Sequence, residues 1–373
     1  ARRAPGSEPR GIRRPVGVTE IHQVLVGAGR TDAITNMARE LREALRTLGP
    51  SEIYAQHPAP GVDDVFPLEQ FPLDGSTGRT IVFHASGGDP DVFELLDSVA
   101  ERIVLVFHNI APAELFDDVD PSRAEMLRLG WQELELLRPK VCLAIADSAH
   151  NAKCLADVGY EDIKVIAAGV DAYRLHRLTP DPAMWHRLGH EVHGPLLMYV
   201  GQSVPHKRPE VLVQMQYLLT RHVGRFPSLA MVGPPTVPVV NAAALEQARV
   251  LRVPGCLFYG QITDAELAAV YRRADLFVTA SMHEGLCIPI LEAMAAGVPV
   301  VGRAVGALPD TVGDAGLLLP ADAGPEMFAE AVGELLDDQG LRSRMAFRGR
   351  QRLRDFDEDA ATTAFREALA GVM

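Results

Sequence analysis

The chain has 373 residues, which is more than one ordinary hydrophobic core accommodates, so two domains are expected. Its 47% hydrophobic and 23% charged residues are typical of a globular protein, and no apolar run approaches the roughly 18 residues needed to span a bilayer. The net charge of −13 argues against a nucleic-acid-binding surface, so no nucleic-acid partner is expected.

Residues 1–17 are rich in Arg, Pro and Gly and show no periodicity, which predicts a mobile N-terminal arm. Contact of this arm with an acidic membrane surface is one alternative, and a solvated tail is the simpler one, so at most peripheral membrane contact is expected. No apolar stretch follows the arginines, so no signal peptide is predicted. The spacing of the four cysteines matches neither a zinc site nor a redox pair, which indicates reduced thiols and a cytoplasmic protein.

Apolar runs and amphipathic segments then alternate along the chain, as in a parallel sheet with helices on both faces. The first series of strands is predicted at 22–26, 52–55, 80–84, 102–107, 141–146 and 163–166. The helices between them are predicted at 33–48, 91–100, 121–137 and 149–158. This series forms a predicted first domain at 18–190.

The pattern breaks over 172–195, where Pro and His become frequent, and the domain connection is placed there. The second series of strands is predicted at 196–200, 229–232, 257–259, 276–279, 298–301 and 316–318. Its helices are predicted at 208–220, 242–250, 264–273, 289–296, 327–336, 341–353 and 358–370. The fold class is therefore α/β, with a second domain at 191–355 and two doubly wound, Rossmann-like domains that face each other across a cleft. Ligands in such open sheets bind beyond the carboxyl ends of the strands.

Two acidic residues, Glu284 and Glu292, are separated by seven residues around the start of a short apolar helix. Pro289 suits the first turn of that helix, and Gly297 suits its C-terminal stop. The first-turn amides are free at such a helix N-terminus and form a natural anion site. The residues that supply them are Gly285, Leu286, Cys287 and Ile288.

This segment is similar to the Glu-x7-Glu signature of retaining glycosyltransferases of the large group 1 family, which includes many mannosyl- and glucosyltransferases with the two-domain GT-B architecture. The flank 306–316 is similar to the family's usual continuation. The resemblance implies that Glu284 contacts the transferred sugar, that Glu292 binds the nucleotide ribose, and that a final helix in 356–373 crosses back to the first domain. The alternative is a buried helix with two incidental surface acids.

The segment after the strand at 196–200 resembles the family's Gly-Arg-x4-Lys element, whose basic residues neutralise the donor diphosphate. Gly201 and Lys207 occupy matching positions, but Gln202 stands where the family usually has Arg. Glutamine donates a hydrogen bond but has no charge, so half of the clamp is in doubt unless Arg208 or His206 compensates. The alternative for Lys207 is a solvated loop cation.

The first domain supplies the acceptor side of the predicted site. The resemblance places His108 next to the transferred sugar, where a neutral imidazole could hydrogen-bond a hydroxyl; a core histidine is the alternative. Asn109 and, with a weaker signal, His84 are acceptor-side candidates at strand ends. The family's Gly-Gly pair falls on Asp32 and Ala33, where the Ala33 amide could approach the diphosphate. Asp32 is either a base or hydroxyl-orienting group, or a helix N-cap.

The predicted function is transfer of a hexose, with retention, from a nucleoside-diphosphate sugar to a hydroxyl of a glycan, lipid or small molecule. No cofactor is expected, because the Gly-x-Gly-x-x-Gly fingerprint is absent, and no metal site is expected, because no Asp-x-Asp pair stands in a suitable loop. The alternatives are a nucleotide-sugar epimerase or a phosphorylase on the same fold, or a non-catalytic subunit that binds nucleotide sugars.

Overall fold

A computed structural model describes residues 20–73 and 78–373 of the chain, and the predicted arm at 1–17 lies outside these residues. The described chain folds into two α/β domains, each built on one parallel sheet. Within the described residues, no helix is both long enough and apolar enough to cross a bilayer.

The first sheet has seven strands in the order β3-β2-β1-β4-β5-β6-β7. Its strands are β1 Glu20–Ala28, β2 Ile53–Pro58, β3 Phe66–Pro67, β4 Arg79–Ala85, β5 Arg102–Phe107, β6 Val141–Ala146 and β7 Lys164–Val165. The central strands are buried on both faces, as expected of parallel strands covered by helices. The strand order reverses between β1 and β4, so a crevice opens beyond their carboxyl ends.

The second sheet has six strands in the order β10-β9-β8-β11-β12-β13, and its order reverses between β8 and β11. Its strands are β8 Leu196–Val200, β9 Ser228–Val232, β10 Cys256–Gly260, β11 Leu276–Val278, β12 Val300–Arg303 and β13 Leu317–Leu319. The loops after β8 and β11 therefore leave the sheet side by side. These loops contain the predicted lysine and the first predicted glutamate.

Helices cover both sheets. Those of the first half are α1 Ala33–Leu45, α2 Pro90–Ser98, α3 Pro121–Leu137, α4 Ala149–Asp157, α5 Arg174–Arg177 and α6 Pro182–Glu191. Those of the second half are α7 Pro209–Leu218, α8 Pro238–Val250, α9 Asp264–Arg273, α10 Ile288–Ala296, α11 Leu308–Val312, α12 Pro325–Asp337, α13 Gln339–Arg352 and α14 Glu358–Ala370.

The last helix, α14, returns to the first sheet as predicted. Its residues Phe365 and Leu369 are fully buried in a cluster with Ile21, Leu41 and Leu45, which belong to β1 and α1. The C-terminal segment is therefore part of the first hydrophobic core, although it follows the second domain in the chain.

The prediction was incomplete at the domain connection, where the irregular stretch assigned to 172–195 contains α6. Asp181 caps this helix through its side chain, and Pro182 occupies its first turn. Only Met184 and Leu188 of the helix are buried. Two buried positions in ten residues are too few to produce a clear helical periodicity in the sequence.

Candidate active site

A cavity of about 1060 Å³ lies between the two domains, at the carboxyl ends of both sheets. This volume is slightly above the range of about 300–1,000 Å³ that small-molecule sites occupy. Both domains contribute to its wall. The predicted site residues that line it are Asp32, Ala33, His108, Asn109, Gly201, Gln202, Lys207, Glu284, Gly285, Leu286, Cys287, Ile288 and Glu292.

Lys207 and Glu284 form a buried ion pair in this cavity. The Lys207 Nζ atom donates to Glu284 Oε2 at 2.7 Å, and the Glu284 side chain is 5% exposed. The two residues follow adjacent strands, β8 and β11, which explains how positions 77 residues apart meet. Burial works to lower the pKa of Lys207, but the Glu284 carboxylate outweighs it and leaves that pKa raised. Lys207 is therefore a fixed cation rather than a solvated loop residue.

The turn into α10 is tight and contains a residue in an unusual conformation. Cys287 precedes the helix with φ 65° and ψ 66°, the left-handed region that L-residues other than Gly, Asn and Asp rarely adopt. Burial, together with the Glu284 carboxylate, raises the pKa of the Cys287 thiol well above its usual value. The thiol thus stays protonated, and Cys287 is a packing residue rather than a nucleophile.

Glu292 lies on α10 and points into the cavity with 8% of its side chain exposed. The Tyr271 hydroxyl donates to its Oε2 atom at 2.9 Å, and the Arg174 Nη2 atom lies 3.7 Å from its Oε1 atom. Burial raises the pKa of Glu292 to about 7, although Arg174 and Tyr271 both act to lower it. Sequence reasoning missed both partners. Arg174 is the first residue of α5, which the sequence did not predict, and Tyr271 in α9 gives no sequence signal.

His108 lies in the opposite wall, and both of its ring nitrogens are already hydrogen-bonded within the protein. Its Nδ1 atom lies 3.2 Å from Asp147 Oδ2, and its Nε2 atom lies 2.9 Å from His84 Nδ1. A bond from this ring to a sugar hydroxyl, as expected from the sequence, would require one of these contacts to break. Asp147 directly follows the predicted strand at 141–146, so its position at a strand end was a signal that sequence reasoning overlooked.

His84 requires a correction, because it does not line the cavity. Its ring is 1% exposed and lies behind His108, with Nε2 2.8 Å from Gln23 Oε1. Complete burial, with His108 as the second cause, lowers the pKa of His84 well below its usual value. His84 is therefore a neutral residue of the first core and has no direct contact with the acceptor space.

Asp32 is the N-cap of α1, which is one of the two roles predicted for it. Its Oδ2 atom accepts from the Thr35 amide at 2.8 Å and from the Thr35 hydroxyl at 2.7 Å. Asp32 and Ala33, the first residue of α1, both line the cavity. The N-cap role is sufficient to explain an acidic residue at this position without a catalytic role. The acceptor-side role of Asp32 stays a prediction.

Neither Arg208 nor His206 supplies the positive charge that is missing at Gln202. Arg208 has a left-handed backbone, and its guanidinium pairs with Glu210 instead of lining the cavity. His206 does line the cavity, but burial lowers its pKa well below the usual value and leaves it neutral. Lys207 is thus the cation that this loop presents to the cavity.

Residues 194–338 match the sequence profile of the family described as "Glycosyl transferases group 1". The chain is also similar to the "D-inositol 3-phosphate glycosyltransferase" of Corynebacterium efficiens, with 31% identity over 66% of this chain and 59% of the relative. The relative of that name from Frankia alni is 34% identical over 58% of this chain and 55% of its own length. The chain therefore spans about three fifths of the length of the curated relatives it matches.

Solved structures share the fold over nearly the whole chain. Sucrose-phosphate synthase from Thermosynechococcus elongatus superposes with a TM-score of 0.73 at 18% identity, covering 95% of this chain and 100% of that one. Anabaena Alr3699/HepE in complex with UDP and glucose gives a TM-score of 0.72 at 16% identity, covering 94% and 99%. The predicted fold class is confirmed: the described residues have the two-domain GT-B fold, and residues 194–338 of the second half carry the sequence pattern of the group 1 glycosyltransferases.

Proposed function

We propose that this protein is a retaining glycosyltransferase that moves a hexose from a nucleoside-diphosphate sugar to an acceptor hydroxyl without a metal ion. The observation that carries the proposal is the joint position of Lys207, Glu284 and Glu292 in one interdomain cavity. An anionic sugar donor needs an acceptor of ribose hydroxyl protons, a cation for the diphosphate and a carboxylate for the sugar. These three residues supply one group of each kind.

The donor is assigned to the second domain. Glu292, held by Tyr271 and Arg174, accepts hydrogen bonds from the ribose hydroxyls. Lys207 has three N–H donors, so it can bind a diphosphate oxygen while it keeps its bond to Glu284. The first-turn amides of α10 lack helix-internal acceptors and add positive potential beside the phosphates.

Glu284 accepts from the 3- and 4-hydroxyls of the hexose, which fixes the anomeric carbon toward the first domain. In the transfer step, the bond from this carbon to the diphosphate oxygen breaks, and its electron pair stays on the diphosphate. The acceptor oxygen bonds to the same face of the carbon, and its proton passes to the leaving phosphate oxygen. Lys207 and the α10 amides stabilise the charge that grows on the leaving group. His108 shapes the reacting face from the opposite wall.

The first donor and acceptor to test come from the similar proteins. Alr3699/HepE was solved with UDP and glucose, and the curated relatives are named for D-inositol 3-phosphate. Thermal-shift screening of UDP-glucose, GDP-mannose and related donors identifies the nucleotide sugar, since a ligand of the folded state raises its stability. Transfer to inositol 3-phosphate and to other hydroxyl acceptors is then followed by NMR, which also reports the anomeric configuration.

The decisive variant is Glu284→Gln, with the exposed Glu246→Gln as its matched control. We expect Glu284→Gln to lower kcat roughly 100-fold while the dissociation constant of the nucleotide changes little, because the carboxylate faces the sugar. Nucleotide binding without transfer to any acceptor would favour a binding subunit. Epimerised donor or phosphate-dependent release would favour the alternative enzymes, and loss of turnover in EDTA would contradict metal independence.

A further inference from the structure

A chain of buried side-chain hydrogen bonds crosses the boundary between the two domains. His283 Nε2 donates to Asn109 Oδ1 at 2.8 Å, and Asn109 Nδ2 donates to Asn151 Oδ1 at 2.5 Å. Asn151 Nδ2 donates to Asp147 Oδ1 at 2.5 Å, and Asp147 Oδ2 faces His108 Nδ1 at 3.2 Å. We call these five residues the interdomain chain. Only His283 belongs to the second domain.

The donor and acceptor groups of the interdomain chain allow its hydrogen bonds to run in only one direction, from His283 to Asp147. An ionised Asp147 can only accept, so Asn151 donates to it and accepts from Asn109, whose amide oxygen then needs a donor. Burial lowers the pKa of His283 to about 4, so its ring is neutral and supplies that donor through Nε2. Asn151 is 0% exposed, and a broken link would leave buried amide groups without partners.

On the other side of Asp147, the donors and acceptors of the hydrogen bonds can be assigned in the same way. The Gln23 amide donates to the Ala38 carbonyl at 2.9 Å, so its oxygen accepts from His84 Nε2. The neutral His84 then accepts through Nδ1 from His108 Nε2. The remaining ring nitrogen of His108, Nδ1, faces Asp147 Oδ2 at 3.2 Å. Asp147 therefore contacts both arms, Asn151 through Oδ1 and His108 through Oδ2.

The backbone of the second domain contacts the first at the same place. The Ser148 hydroxyl donates to the Gly285 carbonyl at 2.6 Å. A Cβ atom at Gly285 would lie 2.7 Å from the His108 carbonyl oxygen and 2.9 Å from Asn109 Cβ, so a larger residue does not fit there. Asn109 itself has φ 80°, a conformation that its contacts must maintain. Glu284 lies between the two residues, 283 and 285, that touch the first domain.

We propose that His283, Asn109 and Asn151 are positioning residues, and that the interdomain chain forms when the domains close and fixes Glu284 relative to His108. This inference rests on the proposed function, because it assigns a catalytic consequence to the closed arrangement. The donor contacts proposed for Glu292, Lys207 and the start of α10 lie in the second domain and do not need the chain, whereas the reacting geometry spans both domains. Small misplacement of reacting groups costs up to about 100-fold in rate.

The test compares His283→Leu, which removes the donor, with His283→Gln, which keeps an N–H near the position of Nε2. The exposed His222→Leu controls for the loss of a histidine. We expect His283→Leu to lower kcat about tenfold and to change the dissociation constant of the nucleotide less than about threefold. His283→Gln should recover most of the rate. Asn109→Ala breaks the same link from the other domain, so the double variant with His283→Leu should be no slower than the slower of the two single variants.

An unchanged kcat in His283→Leu, or equal losses in the Gln and Leu variants, would overturn the proposal. A fall of nucleotide affinity and melting temperature in parallel with kcat would show a structural role only. Small-angle scattering of the unliganded protein separates this test from the proposed function. A larger radius of gyration in His283→Leu than in wild type supports the interdomain chain even if no sugar donor binds, and an unchanged radius contradicts it.

Discussion

Glu292 is a cavity residue whose charge depends on pH near neutrality. Its carboxylate is almost completely buried, and this burial raises its pKa to about 7. Arg174 and Tyr271 offset only part of the desolvation. At pH 7 about half of the molecules therefore hold this carboxylate protonated. An ionised carboxylate is the better acceptor for ribose hydroxyls, so the proposed function implies that donor binding and proton binding compete at this residue.

We predict that donor affinity falls as the pH is lowered. Between pH 8 and pH 6, the ionised fraction of a group with a pKa near 7 drops from about 0.9 to about 0.1, so the dissociation constant should rise up to about tenfold. Calorimetry with an intact nucleotide sugar measures this, because its diphosphate does not titrate in that range. Glu292→Gln should bind more weakly at pH 8 but show a flat profile. The same pH slope in both proteins would assign the effect to another group.

At the scale of single elements, α14 joins the end of the chain to the first core. Phe365 is fully buried, and its ring lies among side chains of β1, β4 and α1. The segment between α13 and α14 crosses from one domain to the other. The first domain therefore cannot complete its hydrophobic core until the C-terminal helix has been added.

Phe365→Ala should destabilise the first domain by about 3–5 kcal/mol, because it removes a buried aromatic ring and leaves a cavity. Phe347→Ala is the matched control, since this phenylalanine of α13 is 57% exposed and its loss should change stability by less than about 0.5 kcal/mol. Denaturant titration followed by probes in each domain measures the two transitions separately. Equal effects of the two substitutions would show that α14 contributes little to the core.

The sequence predicted the strands and most helices because buried parallel strands are continuous apolar runs, as in β5 and β8. It missed α5 and α11, which have four and five residues, α6, which buries two residues, and β3, which has two residues. In the site, the spacing of Glu284 and Glu292 and the position of Lys207 after a strand were sufficient to predict that these three residues line one cavity. Asn109 and His283 are in contact although they lie 174 positions apart in the chain, and no local sequence pattern indicates such a contact. Tyr271 was likewise invisible, because a tyrosine in an amphipathic helix is an ordinary core residue.

The whole chain has an excess of acidic residues, and so does the wall of the cavity. The chain has a net charge of −13. Among the described residues that line the cavity, seven carry carboxylates and four carry basic side chains. The basic residues are Arg30, Arg123, Arg174 and Lys207. An anionic donor is therefore repelled at long range and is attracted only when it reaches Lys207 and the start of α10. Long-range repulsion acts on the rate of encounter, and local contacts act mainly on the rate of release.

The association of a nucleotide sugar with the protein should accordingly become faster when salt is added at low ionic strength. The Debye length shortens from about 30 Å at 0.01 M to about 8 Å at 0.15 M, which screens the long-range field but leaves contacts in the buried cavity largely intact. We expect the association rate constant of a nucleotide sugar to rise a few-fold over this range, as measured by stopped-flow fluorescence. The uncharged nucleoside is the control and should show no salt dependence. An association rate constant that falls with salt would mean that the basic residues of the cavity dominate the encounter. The net negative charge of the chain would then have little effect on the donor at the entrance of the cavity.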